Sequence, residues 1–351
     1  MEISFTEFIN SLLHSQSLLF ITSLISAVMF ANGSSDVPNA IATCISTRTL
    51  DAKKSFILAA IFNSLGVLVM TLISSKVAET VFNIANFGDN RTQNIIALVS
   101  ALTGIVAWST LSLHFGIPSS QSHALLAGIS GAAIAIKGNF SGIDFNEWKK
   151  VIFGLFVFNV LAFLVGYIIT KLIEKICKNM DRRKTNKFFK KTQIFGASAT
   201  CFMNGAQDGQ KFMAIFLLGI ALSKGITEKV GFTVPMWLVF YCSSIIALGA
   251  IVGGIKVVKT VGTKVAKIER YQGTAADLSS AICLFVASLF GVPVSSTHVK
   301  NSSIMGVGAS KRISNVNWIV AKNMVLTWII TFPCCGILGY SLTKIFIKFN
   351  V

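Results

Sequence analysis

The sequence predicts an all-α protein that crosses a membrane many times and consists of two copies of one half, inserted with opposite orientation. Three observations predict it. The 351 residues are 53% hydrophobic and only 13% charged, with a mean hydropathy of +0.70, whereas soluble domains carry roughly twice that charged fraction. Apolar runs near the roughly 20 residues needed to span a bilayer stand at 18–47, 55–75, 94–113, 118–136, 151–172, 193–222, 232–255, 274–290, 293–309 and 317–343. Two unlike motifs also recur in the same order. Asn32-Gly33-Ser34-Ser35-Asp36 returns 172 positions later as Asn204-Gly205-Ala206-Gln207-Asp208. Gly116-Ile117-Pro118-Ser119-Ser120-Gln121-Ser122-His123 returns 175 positions later as Gly291-Val292-Pro293-Val294-Ser295-Ser296-Thr297-His298. A duplicated half follows.

The elements justify this in order. Glu2 and Glu7 precede the first run and no basic segment does, so a cleaved signal peptide is not expected. The first run holds a polar island, Asn32 to Asn39, with Asp36 and Pro38 inside apolar flanks. Such an island reads as a buried break in a helix, tolerable only where protein or a watery cavity re-satisfies the backbone. Arg48, Lys53 and Lys54 against Asp51 place the next loop inside and the acidic N-terminus outside. After the run 55–75, the loop with Lys76, Glu79, Asp89 and Arg91 is neutral and reads as outside.

The first half must end at the strongly basic, cytoplasmic stretch Lys171 to Lys191, which requires an odd number of crossings. The runs 18–47, 55–75 and 151–172 give three, so 94–136 adds an even number: either two full crossings or a hairpin bending at Gly116 to Ser122. Its polarity favours the hairpin. In the second half the loop signs exchange. Lys224, Glu228 and Lys229 form a weakly charged loop, while Lys256, Lys259, Lys264, Lys267 and Arg270 against Glu269 mark the next as inside. The second island, Asn204 to Lys211, is expected to break its helix as the first does, and 274–309 is expected to be the mate of the first hairpin, bending at Gly291 to Thr297. The division is thus 1–170 for the first repeat, 171–191 for a basic linker and 192–351 for the second repeat.

The net charge of +17 sits in loops between apolar runs, where it sets membrane orientation, so a nucleic-acid partner is not expected. The seven cysteines form no CxxC pair and mostly lie in apolar runs, as small buried hydrophobes do.

Of the fourteen acidic residues only Asp36, Asp208 and Asp277 fall in apolar segments, and Asp277 is near a segment start. A carboxylate within a span costs about 2.5–3.5 kcal/mol on insertion scales, so two at repeated positions point to function rather than to helix capping alone. Each island adds amide oxygens and carbonyls freed by the break, a donor set for Na+, and the same carboxylates suit a proton equally well. The bends suit an anion. Gly-x-Pro turns sharply, proline favours a first helical turn, and hydroxyls then stand beside unpaired N–H groups at a helix N-terminus that holds phosphate-like groups readily. For either bend alone, hydroxyl N-capping is the simpler account. His123 and His298 follow the hydroxyls as structural hydrogen-bonders or proton-coupling groups. Lys211, three residues after Asp208, is placed to compensate it. Lys300 also lies in an apolar run, and neither lysine has a lysine counterpart in the first half, where Asn39 and Leu125 align.

These motifs together resemble the inorganic phosphate transporter (PiT) family, which includes sulfate permeases. Asn32-Gly33-x-x-Asp36-x-x-Asn39-Ala40, the stretch Asn204 to Lys211, and the paired Pro-x-Ser-x-[Ser/Thr]-His bends match in the family's order across nearly the whole chain. The resemblance implies a plasma-membrane secondary symporter of inverted-repeat fold, moving inorganic phosphate with Na+ or H+ and no further cofactor, often as a homodimer in the lipid bilayer. It places cation ligands at Asn32, Asp36, Asn39, Asn204 and Asp208, and phosphate contacts at Ser120, Gln121, Ser122, Ser295, Ser296 and Thr297. His123, His298, Gln207 and Lys211 would support these or couple protons.

The chain departs from the family where Ser34-Ser35 precede Asp36, where Gln207 precedes Asp208, at Gln121 and at Pro38. Ser35 and Gln207 keep an oxygen but change its reach, which leaves the coupled cation open. The short linker lacks the large cytoplasmic domain of animal relatives. A sulfate symporter of the same fold is the neighbouring reading, an anion channel a more distant one. A membrane phosphatase using His123 or His298 has no supporting metal motif.

Overall fold

The computed structural model describes residues 3–115, 119–225, 233–252, 258, 261–262 and 265–349. Gly116, Ile117 and Pro118 of the first bend, and Glu228, Lys229, Lys256, Lys259 and Lys264 of the loop-charge reading, lie outside them.

The described chain is helical. A capped helix α1 (Phe5–His14), whose Ser4 and Glu7 form a capping box, precedes α2 (Gln16–Ser35), α3 (Val37–Ser46), α4 (Ala52–Ile73) and a short α5 (Lys76–Phe82). The first hairpin is α6 (Arg91–Phe115) and α7 (Gln121–Lys137), followed by α8 (Phe145–Ile176). Then come α9 (Arg182–Ser223), α10 (Met236–Val252), the second hairpin α11 (Arg270–Leu289) and α12 (Ser296–Lys311), and α13 (Trp318–Lys348). Each of the ten apolar runs has its helix. The order recurs: α2/α3, α4, α6, α7, α8 correspond to α9, α10, α11, α12, α13. Even the 3-10 turn at Phe140–Gly142 returns at Ile313–Asn315.

Six of the described helical segments are long and apolar enough to cross a membrane, so this is a multi-pass membrane protein. Of the most apolar window of α8 and of α13 only 22% is buried, against 72% for α11. The first two therefore form the periphery and α11 the core.

One expectation fails at the second island. Asp36 does separate α2 from α3, but α9 runs unbroken through Asn204 to Lys211. Pro38 accounts for the difference, since it has no N–H to give to the preceding turn and the second island has no proline. The basic linker is also mostly helix, with only 177–181 between α8 and α9.

Each hairpin is tied shut at its base. Ala85 bridges Ile143 and the Asn86 N–H reaches the Gly142 carbonyl at 2.8 Å, while Ala266 bridges Val316 and the Asn317 N–H reaches the Val265 carbonyl at 2.9 Å. The first base sits at the start of α8, where the Asp144 N–H bonds the Ile84 carbonyl at 3.2 Å. The second sits at the other end of α8, where Tyr271 donates to Glu174 at 3.0 Å. With 32 residues, α8 is about 48 Å long at 1.5 Å per residue. The hairpins thus open towards opposite ends of the molecule. Their second arms, of 17 and 16 residues, fall short of the roughly 20 that a crossing needs.

The island glycines bring the halves together. A Cβ on Gly33 would lie 2.3 Å from the Ile246 carbonyl of α10, and one on Gly205 would lie 2.0 Å from the Asn63 carbonyl of α4. Each island therefore packs on the fourth-helix equivalent of the other half, through the small residues that allow close approach in membranes.

Candidate cation and oxyanion site

At the α2/α3 junction the backbone restarts around Asp36, whose N–H bonds the Asn32 carbonyl at 2.8 Å and whose carbonyl takes the Asn39 N–H at 3.0 Å. That leaves the Ser35 carbonyl to the Asn39 side-chain amide, at 3.1 Å. The Asp36 carboxylate accepts from Ser35 at 3.2 Å and from the Asn32 amide at 3.1 Å. The Gln121 backbone N–H at the start of α7 also bonds it, and all three donors are neutral. Asn32 Oδ1 and Asn39 Oδ1 are buried without a partner among the described residues, and Asp36 is 1% exposed.

On α9, Asp208 is enclosed more completely. Oδ1 accepts from Lys211 at 3.0 Å and Ser122 at 3.2 Å, and Oδ2 from Ser296 at 3.0 Å and Asn32 at 3.5 Å. Lys211 further donates to Ser122 at 2.9 Å and to the Val294 carbonyl at 2.5 Å. A carboxylate offers about four acceptor positions, and Asp208 uses all of them. Asn32 touches both carboxylates and so joins the islands.

The hairpin tips meet at this point. Ser120 and Ser295 cap α7 and α12, their hydroxyl oxygens accepting from His123 N–H at 3.2 Å and His298 N–H at 3.3 Å, which leaves each O–H able to donate. Within the same first turn, Ser122 and Ser296 reach Asp208, while Thr297 takes the Asn39 amide at 3.2 Å. Asn39 with Thr297 and Lys211 with Ser122 are repeat counterparts: the end of each island grips the tip of the opposite half's hairpin. The N-termini of α7 and α12, where unpaired N–H groups and the helix dipole favour an anion, both adjoin the carboxylates.

Of the remaining expected residues, Gln121 accepts from Ser109, and its amide nitrogen has no partner among the described residues. Gln207 turns away from the carboxylates and braces the second tip, bonding Ser288 at 3.0 Å, the Val292 carbonyl at 3.3 Å and the Val294 N–H at 3.3 Å. Asn204 is buried, with no partner for its amide nitrogen among the described residues. His123 and His298 meet ring to ring at 4.5 Å, stacked on Phe332 at 4.5 Å and Trp328 at 4.0 Å respectively.

A second buried cluster is not among the site residues expected from sequence. Asp277 of α11 accepts from Lys300 of α12 and from Thr43 of α3 at 2.6 Å, and all three are buried. It ties the second hairpin to the half-helix that follows Asp36. Opposite charges on the two arms of one expected hairpin were its available sequence signal.

A multi-pass helical protein with carboxylates, hydroxyls and two helix N-termini gathered at its closed centre is of the transporter class, not an enzyme. The chain belongs to the Phosphate transporter family (PHO4), whose profile matches residues 32–339. It is 37% identical over 310 residues, 88% of this chain and 91% of the relative, to a Bacillus subtilis (strain 168) protein described as "Probable low-affinity inorganic phosphate transporter". A Rhizobium meliloti (strain 1021) protein of the same description is 36% identical over 311 residues, 88% of this chain and 90% of the relative. The fold matches a solved structure described as "The sodium-dependent phosphate transporter" with a TM-score of 0.85 and 21% identity, over 96% of this chain and 100% of that one.

Proposed function

We propose that the chain is a symporter that carries inorganic phosphate across the plasma membrane together with Na+ or H+, by alternating access of two inverted repeats. The observation that carries this is the meeting of the two hairpin tips, from opposite ends of α8, on the Asp208 carboxylate. Phosphate sits between the N-termini of α7 and α12, contacted by Ser120, Gln121, Ser122, Ser295, Ser296 and Thr297. The cation binds at Asp36 among the oxygens of Asn32, Asn39 and Asn204, and Asp208, filled by its own donors, faces that site through Asn32.

Coupling follows from charge. An oxyanion entering a centre that already holds carboxylates meets repulsion and a desolvation cost that a cation offsets. Asp36, Asp208 and Lys211 are at most 1% exposed, which suits an occluded state between inward- and outward-open forms. The linker at 177–181 and the N-terminal helix lie at opposite ends of α9, in keeping with a cytoplasmic linker and an external N-terminus.

The test is radiolabelled phosphate uptake into proteoliposomes under an imposed Na+ gradient or an imposed proton gradient, with unlabelled sulfate as competitor. Uptake that overshoots equilibrium in one gradient and resists sulfate is expected. Simple equilibration in both gradients would indicate a channel, and an overshoot of sulfate alone would replace the substrate.

A further inference from the structure

The second island carries a cation of its own. Lys211 Nζ, on a side chain with 0% exposure, is held by a carboxylate oxygen of Asp208 at 3.0 Å, the Ser122 hydroxyl at 2.9 Å and the Val294 carbonyl at 2.5 Å. Carboxylate, hydroxyl and carbonyl oxygens are the donors a small hard cation takes, and here the three N–H bonds of an ammonium take them. At the counterpart position, 172 residues earlier, the chain has Asn39. That side chain brings no charge, and its Oδ1 is buried without a partner among the described residues, as is Oδ1 of Asn32. Among the described buried residues, three carboxylates (Asp36, Asp208, Asp277) stand against two ammoniums (Lys211, Lys300). Lys211 pairs with Asp208 and Lys300 with Asp277, so the unbalanced unit of negative charge is Asp36.

We propose that Lys211 is a tethered cation standing in the place of one coupling ion, so that each cycle takes up one exchangeable cation fewer than the oxygens around the two aspartates would otherwise hold. The inference rests on the symport reading. A tethered charge returns with the protein after every cycle, whereas a free ion is left on the far side. Removing the ammonium therefore changes the number of charges moved per phosphate, beyond any change in rate.

The charge count is read from steady-state phosphate accumulation in proteoliposomes against imposed K+/valinomycin potentials, with Na+ and pH equal on both sides. One additional charge per phosphate adds a factor of about ten in accumulation for each ~59 mV, inside negative. Lys211→Met is expected to steepen the dependence by that factor, and Lys211→Arg to keep the wild-type slope. The double variant Asp208→Asn/Lys211→Met removes carboxylate and ammonium together and avoids a buried unpaired charge; because it also frees the tips that Asp208 holds, it serves as a control for ion binding and not for accumulation.

Equilibrium binding of 22Na+ to the purified proteins at saturating Na+ reads the same quantity without transport. Lys211→Met is expected to bind one more Na+ per chain than wild type, and the double variant the wild-type number. A wild-type slope in an active Lys211→Met protein, or equal Na+ binding by that variant and wild type, overturns the proposal. A wild-type protein that accumulates phosphate in no gradient would instead sink the symport reading, and the Na+ count would still test the lysine.

Discussion

Asp36 and Asp208 occupy equivalent positions in the two halves, 172 residues apart, yet their surroundings differ in one respect that governs the rest. Asp208 receives an ammonium, two hydroxyls and an amide, and lies in an unbroken helix. Asp36 receives one hydroxyl, one side-chain amide and the Gln121 backbone N–H, all neutral, and lies at a helix break beside two amide oxygens that have no partner among the described residues. The recurring motif supplies two similar carboxylates. Pro38 opened the backbone around one, and Lys211 neutralised the other. On the proposed symport reading the first half holds the exchangeable cation, while its mate, already balanced by Lys211, joins the two hairpin tips.

The contrast breaks hardest at Asp208. Asp208→Asn is expected to leave Lys211 buried without its counter-ion, at a cost of about 3–5 kcal/mol, and to abolish uptake by freeing both tips. Thermal unfolding of the purified protein, with insertion and uptake measured alongside, checks this; wild-type stability would refute the ion pair. Lys300→Met should cost slightly less, about 3 kcal/mol, because it orphans Asp277 at the hairpin edge of the site. Adding Asp277→Asn should restore most of that loss, and a double variant no more stable than the single one would contradict the pairing.

The contact between the halves is probed by Gly205→Ala, whose Cβ would meet the Asn63 carbonyl. It is expected to destabilise by about 1–3 kcal/mol through overpacking, measured as a lowered unfolding midpoint. The smallest effect is expected from Asn39→Ala, which loses the bond to Thr297. At about 1 kcal/mol for a hydrogen bond, it should weaken apparent cation affinity about fivefold with little change in stability. An unchanged cation dependence would remove Asn39 from the site.

Much of this was legible in the chain itself. Polar residues inside apolar runs are conspicuous; each of the ten apolar runs meets a helical segment, and the recurring motifs fall at corresponding places in the helix order. The sequence could not show that Gln207 turns to brace the second tip, because orientation depends on how α9 packs against α11. The two islands also share Asn, Gly and Asp, which suggested a break in both; the absence of proline from the second made the difference. The Thr43, Asp277 and Lys300 cluster was hidden for a related reason. Its members come from three helices, and only folding of the second hairpin against α3 brings them together. Lys211 stood out as a charge in an apolar run, but its grip on Ser122 and Val294 appears only once both tips reach α9.

The most direct test of the account is the Asp36→Asn variant, reconstituted to the same density and orientation as wild type and assayed for cation-driven phosphate uptake. The account predicts a wild-type overshoot and none in the variant, with unfolding stability preserved because no buried counter-ion loses its partner. Full overshoot by a correctly inserted Asp36→Asn protein would contradict the assignment of the exchangeable cation to the first island.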